Sequence, residues 1–205
     1  MSPHRTVRPA ERPAVFIDKD GTLVENVPWN VDPAELRLMP GAAEALQALA
    51  CGGFALVVVT NQSGLAEGRF SAAQFASLRA ALRQMLRERG VTLTDFLHCP
   101  HAASADGRPA CLCRKPQPGM LHRAARLHGL DLARSWMVGD ILDDVEAGRR
   151  AGCRSILLDS GGETVWRRTP LRVADHRVDD WIDVAERILG DQRRMPNGLT
   201  MAGHG

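Results

Sequence analysis

Short apolar runs that end in polar residues recur along this chain, with helical segments between them. The runs and the polar residue after each are 14–17 with Asp18, 54–59 with Thr60, and 135–139 with Asp140. Helical apolar spacing occurs at 41–51, 71–89, 119–128 and 143–151. Alternating strands and helices predict a parallel sheet with helices on both faces, and in such sheets ligands bind beyond the carboxyl ends of the strands. We therefore expect an α/β protein whose strand ends carry its function.

Weaker patterns extend this sheet and mark its limits. Further strands are predicted at 91–97, 154–158 and 173–178, the last at an edge, with a closing helix at 181–189. One domain is expected at residues 13–190, because 205 residues with 44% apolar content can fill a single core. We expect a flexible polar arm at 1–12 and a flexible tail at 191–205.

Charge and hydropathy argue against several kinds of partner. The formal net charge is +2, and no run of Lys and Arg is long enough to bind a polyanion, so nucleic acid is not expected as a partner. No stretch of about 18 consecutive apolar residues occurs, and residues 1–9 lack the apolar core of a signal peptide. We therefore expect a cytoplasmic protein with no membrane partner, monomeric by default.

Asp18 and Asp20 follow the first predicted strand two residues apart. Because side chains alternate along a strand, both carboxylates can face one small volume, where they would repel each other without a cation. Mg²⁺ suits this position, since it takes one or two protein carboxylates and shares its other positions with water and phosphate. Asp140 is expected to hold it together with Asp18 and the backbone carbonyl of Asp20. A solvated Asp-x-Asp-Gly turn is the alternative interpretation.

These residues can run phosphoryl transfer. Asp18 can attack phosphorus and form an aspartyl-phosphate, while Asp20 protonates the leaving alkoxide and later deprotonates water. Thr60 and the amides after it can hydrogen-bond the phosphoryl oxygens, and Lys115 can supply a positive charge for them. The alternative for Lys115 is an ordinary solvated lysine.

The order Asp18-x-Asp20-Gly-Thr, Thr60-Asn61, Lys115 and Gly-Asp140-x-x-x-Asp144 resembles the haloacid dehalogenase superfamily across residues 14–160. The resemblance implies a Rossmann-like sheet, an Asp18 nucleophile, an Asp20 acid/base and Mg²⁺. It favours hydrolysis over ion pumping, because the pumps of this superfamily carry threonine at the position of Asp20. Asp144 is expected to orient water or neighbouring groups, although Asp143 beside it is an equal candidate.

A second cluster points to a different metal. Cys99, His101, Cys111 and Cys113 form two Cys-x-(Cys/His) pairs, a ligand set suited to a closed, structural Zn²⁺ site. His98 is a competing nitrogen ligand, and two unconnected thiols with a surface histidine are the alternative. We call residues 99–118 the Cys/His loop, a small insertion expected to be stabilised by zinc. Cys51 and Cys153 are expected to be inert core thiols.

The Cys/His loop narrows the resemblance to the superfamily branch that acts on heptose 1,7-bisphosphates, giving the 1-phosphate for nucleotide-activated heptose. That resemblance implies that the following residues contact the substrate: Asn26, Val27, Pro28, Trp29, Asn61, Gln62, Ser63 and Arg114. Ile141 and Glu67 depart from the branch pattern, which often has lysine and arginine there; Arg69 is close to Glu67. Histidinol phosphate phosphatases share the loop and are the alternative, and a non-catalytic phosphosugar-binding module is a second one.

Overall fold

A computed structural model describes residues 11–104 and 111–194 and confirms the predicted α/β fold. The elements in chain order are β1 (Ala14–Ile17), α1 (Ala42–Cys51), β2 (Ala55–Asn61), α2 (Ala72–Glu88), β3 (Asp95–Cys99), α3 (Gly119–His128), β4 (Trp136–Gly139), α4 (Leu142–Ala151), β5 (Arg154–Leu158), β6 (His176–Val178) and α5 (Trp181–Arg194). The six strands form one parallel sheet in the order β3-β2-β1-β4-β5-β6.

The order of the strands indicates where a ligand site is expected on the sheet. The order runs one way from β1 to β3 and the other way from β4 to β6, so the chain switches sides between β1 and β4. Ile17 at the end of β1 pairs with Val58 on β2 and with Val138 on β4. The backbone N–H of Asp18 continues this pairing, donating to the carbonyl of Val138 at 3.0 Å. A crevice at such a switch point is the usual ligand site of an open parallel sheet.

The two faces of the sheet explain why β1 is apolar throughout. Val15 and Ile17 pack into a core beneath α1, α2 and α5, whereas Phe16 faces a second core beneath α3. All three side chains are fully buried. A strand covered on both faces carries no polar position until it ends, and the first polar group after β1 is Asp18.

The long helix α2 begins where its sequence indicates. Ser71 is the N-cap: its hydroxyl accepts from the N–H of Gln74 at 3.2 Å, and the Gln74 side chain accepts from the N–H of Ser71 at 2.9 Å. Its buried side chains, Phe75, Leu78, Leu82 and Leu86, lie on one face. This capping box and apolar stripe fix α2 against the sheet beside β2.

Several boundaries differ from the sequence-based expectation. The strand predicted at 91–97 lies at Asp95–Cys99, because Val91 instead closes the end of α2, its N–H donating to the carbonyl of Leu86 at 2.9 Å. The edge strand is shorter than predicted, and α5 continues to Arg194, into the segment expected to be a tail. At the expected N-terminal arm, the N–H of Arg12 donates to the carbonyl of Gly129 at 3.2 Å. Residues 1–10 of that arm and 195–205 of the tail lie outside the described residues.

Candidate active site

The turn after β1 brings its backbone against Asp140. Gly21 has φ of 77°, a left-handed conformation, and a Cβ there would collide with the Asp140 carboxylate. The hydroxyl of Thr22 donates to Oδ1 of the same carboxylate at 3.1 Å. The Gly-Thr pair thus lets the strand ends of β1 and β4 approach and orients Asp140 between them.

Three carboxylates and one ammonium meet at the carboxyl ends of β1 and β4. Oxygen atoms of Asp18, Asp140 and Asp144 lie within 4.8 Å of one another. The Nζ of Lys115 lies 2.5 Å from Oδ1 of Asp18 and 2.7 Å from Oδ1 of Asp144, and it donates to the carbonyl of Val59 at 3.0 Å. All four side chains are buried, Asp144 completely. Three acids with one base leave negative charge in a buried place, which suits a hard divalent cation.

The pKa values in this cluster reflect its burial. Burial and the charge of Asp18 raise the pKa of Asp140 to about 7. Burial also raises the pKa of Asp144, although the Lys115 ammonium opposes it. Burial by itself would lower the pKa of Lys115, but the charges of Asp144 and Asp18 outweigh it and raise that pKa. Lys115 is therefore a buried cation held by two acids.

The structure separates Asp143 from Asp144. Asp143 pairs with Arg172 at 2.6 Å, away from the carboxylate cluster. Asp144 has both oxygens engaged inside the cluster, one by Lys115 and the other by the backbone N–H of Ile141 at 3.3 Å. Of these two acids, Asp144 is thus the one that can orient groups in the site.

Asp20 lies beside the cluster with its carboxylate turned to other partners. The ammonium of Lys19 is paired with Oδ1, and Nε2 of Gln62 donates to Oδ2 at 2.9 Å. Burial, with the charge of Asp18 adding to it, raises the pKa of Asp20 despite Lys19. The side chain of Asp20 is outside the set of carboxylates that can share one cation. The sequence-based prediction that Asp20 binds metal through its backbone carbonyl stays a prediction.

Residues at the end of β2 fix Lys115 in place. The side-chain amide of Asn61 donates to the carbonyl of Lys115 at 3.1 Å and accepts from its N–H at 3.0 Å. Thr60 is 1% exposed, and its hydroxyl accepts from Nε2 of Gln62 at 3.0 Å. The polar end of β2 therefore positions Lys115 through Asn61, and it contacts Gln62, the hydrogen-bond partner of Asp20, through Thr60.

The four ligands expected in the Cys/His loop converge. The Sγ of Cys113 lies 3.1 Å from that of Cys99 and 3.4 Å from that of Cys111, and Nδ1 of His101 lies 3.4 Å from Sγ of Cys99 and 3.3 Å from Sγ of Cys113. His98 is not in this cluster; its ring packs against Phe75. Three thiols and one imidazole this close together form a set of four donors, which fits a structural Zn²⁺ site.

Without a metal, the three thiols of this cluster differ in the direction in which their pKa is shifted. Burial raises the pKa of Cys99 and of Cys113. Burial also acts on Cys111, but hydrogen bonds such as that from the N–H of Arg114, at 3.3 Å, outweigh it and lower its pKa to about 7. Because a metal binds thiolates, the loop would release protons when it is loaded. As for the other thiols, Cys153 is buried, whereas Cys51 is exposed and not in the core.

The expected substrate contacts come from three segments of the chain, at 26–29, 61–63 and 114. Asn26, Val27, Pro28 and Trp29 are all exposed, and Trp29 has φ of 59°. The guanidinium of Arg69 lies 4.6 Å from the centre of the Trp29 ring and pairs with Glu67 at 3.0 Å, while Ser63 begins the short turn between Asn61 and that pair. Hydrogen bonding from Arg69 lowers the pKa of Glu67. Arg114, in the Cys/His loop, donates to the carbonyl of His101 at 3.1 Å.

Two residues next to the cluster were missed by sequence reasoning. A Cβ on Gly162 would collide with Oδ2 of Asp140, so only glycine lets this segment lie against that carboxylate. Glu163 accepts from the N–H of Leu142 at 2.9 Å and so caps α4. Both follow β5, and the carboxyl-end rule that located Asp140 would have pointed to them.

None of the helices in residues 11–104 and 111–194 is both long and apolar enough to cross a membrane. A family model described as "HAD-hyrolase-like" matches residues 112–183, from the Cys/His loop into α5. The fold, the Asp-x-Asp turn and the buried lysine are those of the haloacid dehalogenase-like class.

Two curated relatives and one solved structure narrow this class. D-glycero-beta-D-manno-heptose-1,7-bisphosphate 7-phosphatase of Escherichia coli K12 is 36% identical over 88% of this chain and 96% of its own length. The enzyme of that name from Mesorhizobium japonicum is 42% identical over 91% of this chain and 88% of its own length. The crystal structure of D,D-heptose 1,7-bisphosphate phosphatase from B. bronchiseptica with magnesium and phosphate matches with a TM-score of 0.76 and 31% identity, covering 88% of this chain and 99% of that chain. The chain belongs to this heptose bisphosphate phosphatase family.

Proposed function

We propose that this chain is a magnesium-dependent phosphatase that hydrolyses the C7 phosphate of D-glycero-β-D-manno-heptose 1,7-bisphosphate and leaves the 1-phosphate. The observation that carries this proposal is the buried contact of Asp18 with Lys115 at 2.5 Å, beside Asp140 and Asp144. It supports a nucleophilic carboxylate next to a fixed positive charge, in a chain whose relatives are named for this substrate.

In the first step Asp18 is the nucleophile. One of its oxygens forms a bond to phosphorus as the bond from phosphorus to the C7 oxygen breaks, which gives an aspartyl-phosphate and the free sugar hydroxyl. The Lys115 ammonium contacts Asp18 and the carbonyl of Val59, the residue before Thr60. The ammonium and the Thr60 hydroxyl stabilise the negative charge on the transferring oxygens. Asn61 contributes by clamping the backbone of Lys115.

Asp20 moves the protons. As an acid it donates a proton to the leaving C7 oxygen, and as a carboxylate it then takes a proton from the water that attacks the phosphorus of the aspartyl-phosphate. That second displacement releases inorganic phosphate and regenerates Asp18 with the acid form of Asp20. One group thus serves both half-reactions.

Mg²⁺ would be held by the carboxylates of Asp18 and Asp140 and by the backbone carbonyl of Asp20, with Asp144 orienting the surrounding groups. When bound, it offsets the repulsion between an anionic nucleophile and an anionic phosphate. The buried negative charge of the three clustered acids fits a cation of this kind, and the structural relative from B. bronchiseptica contains magnesium and phosphate.

Zn²⁺ in the Cys/His loop is the second metal that we propose, with a structural role. Cys99, His101, Cys111 and Cys113 leave no ligand position open. Arg114 and Lys115 follow Cys113 directly, so a rigid loop presents both cations. We propose that Arg114 grips the remaining phosphate of the substrate, since a guanidinium can bind phosphate through two hydrogen bonds, and that residues 26–29 and Ser63 contribute to the sugar pocket.

The test is phosphate release by purified protein with Mg²⁺ from four compounds: both anomers of the heptose bisphosphate, histidinol phosphate and p-nitrophenyl phosphate. We expect the β anomer to have the highest kcat/KM. A preference for histidinol phosphate by orders of magnitude would assign the chain to the alternative substrate.

Asp18→Asn is the control for mechanism in the same assay. It keeps the side-chain shape but replaces one carboxylate oxygen and removes the negative charge, so we expect no measurable phosphate release from a protein with wild-type circular dichroism. Normal turnover by this variant would contradict the aspartyl-phosphate route. If the wild type released no phosphate from any of the four compounds yet bound them, a non-catalytic binding module would be the better description.

A further inference from the structure

The side-chain amide of Gln62 connects two groups of the candidate active site. Its Nε2 donates to Oδ2 of Asp20 at 2.9 Å and to Oγ1 of Thr60 at 3.0 Å. An amide nitrogen carries two hydrogens, so both are used by these two contacts. Gln62 is 7% exposed, and it is thus an interior part of the site and not a surface residue.

Chemistry determines which end of the amide faces Asp20. An ionised carboxylate can only accept hydrogen bonds, so the amide oxygen would repel it, whereas the nitrogen satisfies it. With the nitrogen in place, Oδ2 of Asp20 is bound by Gln62 and Oδ1 by the ammonium of Lys19. Each oxygen of the acid/base has one partner, and the plane of its carboxylate is set by the pair.

The same amide determines what the Thr60 hydroxyl can do. Because Oγ1 of Thr60 accepts from Gln62, the hydroxyl proton must point elsewhere. Among the described residues it meets no acceptor, so it is available for an acceptor brought by the substrate, such as a phosphoryl oxygen. A single amide therefore orients a proton donor for the phosphate and the acid/base for the leaving group.

Asn61, the residue before Gln62, has a different task. Both polar atoms of its side chain bind the backbone of Lys115, so the two adjacent amides act on different parts of the site. The sequence resemblance implied that both contact the substrate, but the contacts of Gln62 are with Asp20 and Thr60.

We infer that Gln62 is a positioning residue that couples the acid/base Asp20 to the phosphoryl-binding hydroxyl of Thr60. The inference rests on the proposed function only in taking Asp20 as the acid of the first step. Loss of the amide leaves Asp20 held on one side by Lys19 and free to rotate, so the proton is delivered to the leaving oxygen less often.

The dependence on the leaving group distinguishes this role from a general structural one. In the first step the proton of Asp20 goes to the leaving oxygen as its bond to phosphorus breaks, while Asp18 forms the new bond. An alkoxide needs that proton, whereas p-nitrophenolate departs without it. Because kcat/KM reports the steps up to that departure, a misplaced acid lowers kcat/KM for an alkyl phosphate and affects the aryl phosphate little.

The experiment compares Gln62→Met, a change of similar length without hydrogen bonding, with wild type on the heptose bisphosphate and on p-nitrophenyl phosphate. We expect kcat/KM to fall about 100-fold on the alkyl phosphate and less than about fivefold on the aryl phosphate. We also expect a burst of p-nitrophenol equal to the enzyme present, because the second step still needs Asp20 as a base. Equal losses on both substrates would overturn the inference, because a loss that acts only through Thr60 and the phosphate is the same for both, whereas a loss that acts through Asp20 falls on the alkyl phosphate.

Three further variants complete the test. Asp20→Asn should show the same leaving-group dependence more strongly. If Gln62→Met folds poorly, Gln62→Glu, which places a second carboxylate against Asp20, takes its place and should lower kcat/KM more on the alkyl phosphate than on the aryl phosphate. Gln84→Met makes the matched change on the exposed face of α2 and should leave both rates unchanged. If the wild type hydrolyses other alkyl phosphates but not the heptose compound, the substrate proposal fails while the same ratio, measured on those compounds, still decides the role of Gln62.

Discussion

The carboxylate cluster and the four ligands of the Cys/His loop are linked through residues 113–115, and the two clusters are built in different ways. Asp18, Lys115 and the pair of Asp140 and Asp144 come from three separate parts of the chain and meet only through the sheet. Cys99, His101, Cys111 and Cys113 come from two short stretches that are close in sequence. The first cluster is charged and contains its own partial counter-ion, whereas the second consists of groups that can be neutral.

This difference predicts how each cluster behaves when it is disturbed. The buried carboxylates depend on Lys115 for compensation, so loss of that charge affects both folding and chemistry. The thiols of the Cys/His loop can take up protons when no metal binds them. Loss of the metal should therefore change the conformation of the loop and affect the active site only through Arg114 and Lys115. Substitutions in each cluster can test this contrast.

Among the substitutions that compare the two clusters, Lys115→Met should have the largest effect. It removes the ammonium that lies 2.5 Å from Asp18 and 2.7 Å from Asp144. We expect kcat to fall about 100- to 1,000-fold and the free energy of unfolding of the metal-free protein to fall by about 3–5 kcal/mol. Steady-state kinetics and urea titration measure the two losses.

Asp144→Asn and the double variant serve as the control for Lys115→Met. If the lysine stabilises chiefly by compensating Asp144 and Asp18, the double variant should lose less stability than the sum of the two single ones. Additive losses would show that the lysine and Asp144 act independently, which the 2.7 Å contact does not allow.

Cys113→Ser should have the next largest effect. We expect loss of about one equivalent of zinc, measured by elemental analysis, and a fall in kcat/KM of about 10- to 100-fold, because the loop no longer holds Arg114 and Lys115. Cys51→Ser, at an exposed thiol outside the cluster, is the matched control and should keep zinc and activity. Wild-type protein that folds without zinc would remove the structural-site proposal.

Gly162→Ala tests the support of Asp140 from the far side of the carboxylate cluster. The added methyl group would collide with Oδ2 of Asp140, which must then move. We expect the affinity for Mg²⁺, measured by calorimetry, to fall about tenfold or more. Gly190→Ala, in α5 with open space around it, should not change that affinity; an equal effect of the two would mean that Gly162 does not support Asp140.

The smallest effect concerns the end of β3 remote from the Cys/His loop. Asp95 pairs with His128 at 2.8 Å and lies 3.8 Å from Arg83. Although burial acts against it, hydrogen bonding from His128 and from the N–H of Phe96 lowers the pKa of Asp95. A lowered pKa in the folded state stabilises the protein above the unfolded-state pKa, and that contribution is lost as pH falls through the folded-state pKa.

Asp95→Asn should therefore reduce the free energy of unfolding by no more than about 1 kcal/mol at neutral pH. The difference from wild type should shrink as the pH is lowered through the titration of Asp95, which urea titration at several pH values can follow. Glu186→Gln, at an exposed carboxylate on α5, is the control. A difference that grew toward acid pH would contradict the sign of this argument.

The sequence predicted most of the sheet and the composition of both clusters. The apolar runs and their polar ends located β1, β2 and β4, because a strand buried on both faces is apolar along its whole length. The helix at 119–128 has the bounds that its periodicity indicates, and β5 lies where its apolar run does. By contrast, β3 was displaced because apolar residues at 91 and 93 serve the core equally well outside a strand.

Periodicity and spacing are local properties, and they were enough to predict the class of fold, the candidate acids and the four soft ligands. Tertiary structure alone decided between neighbours of the same chemistry: Asp144 enters the carboxylate cluster while Asp143 pairs with Arg172, and His101 joins the thiols while His98 packs on Phe75. It also turned Gln62 toward Asp20 and Thr60 and brought Gly162 against Asp140. The physical reason is that direction and contact between distant segments depend on how the strands assemble, which no local pattern records.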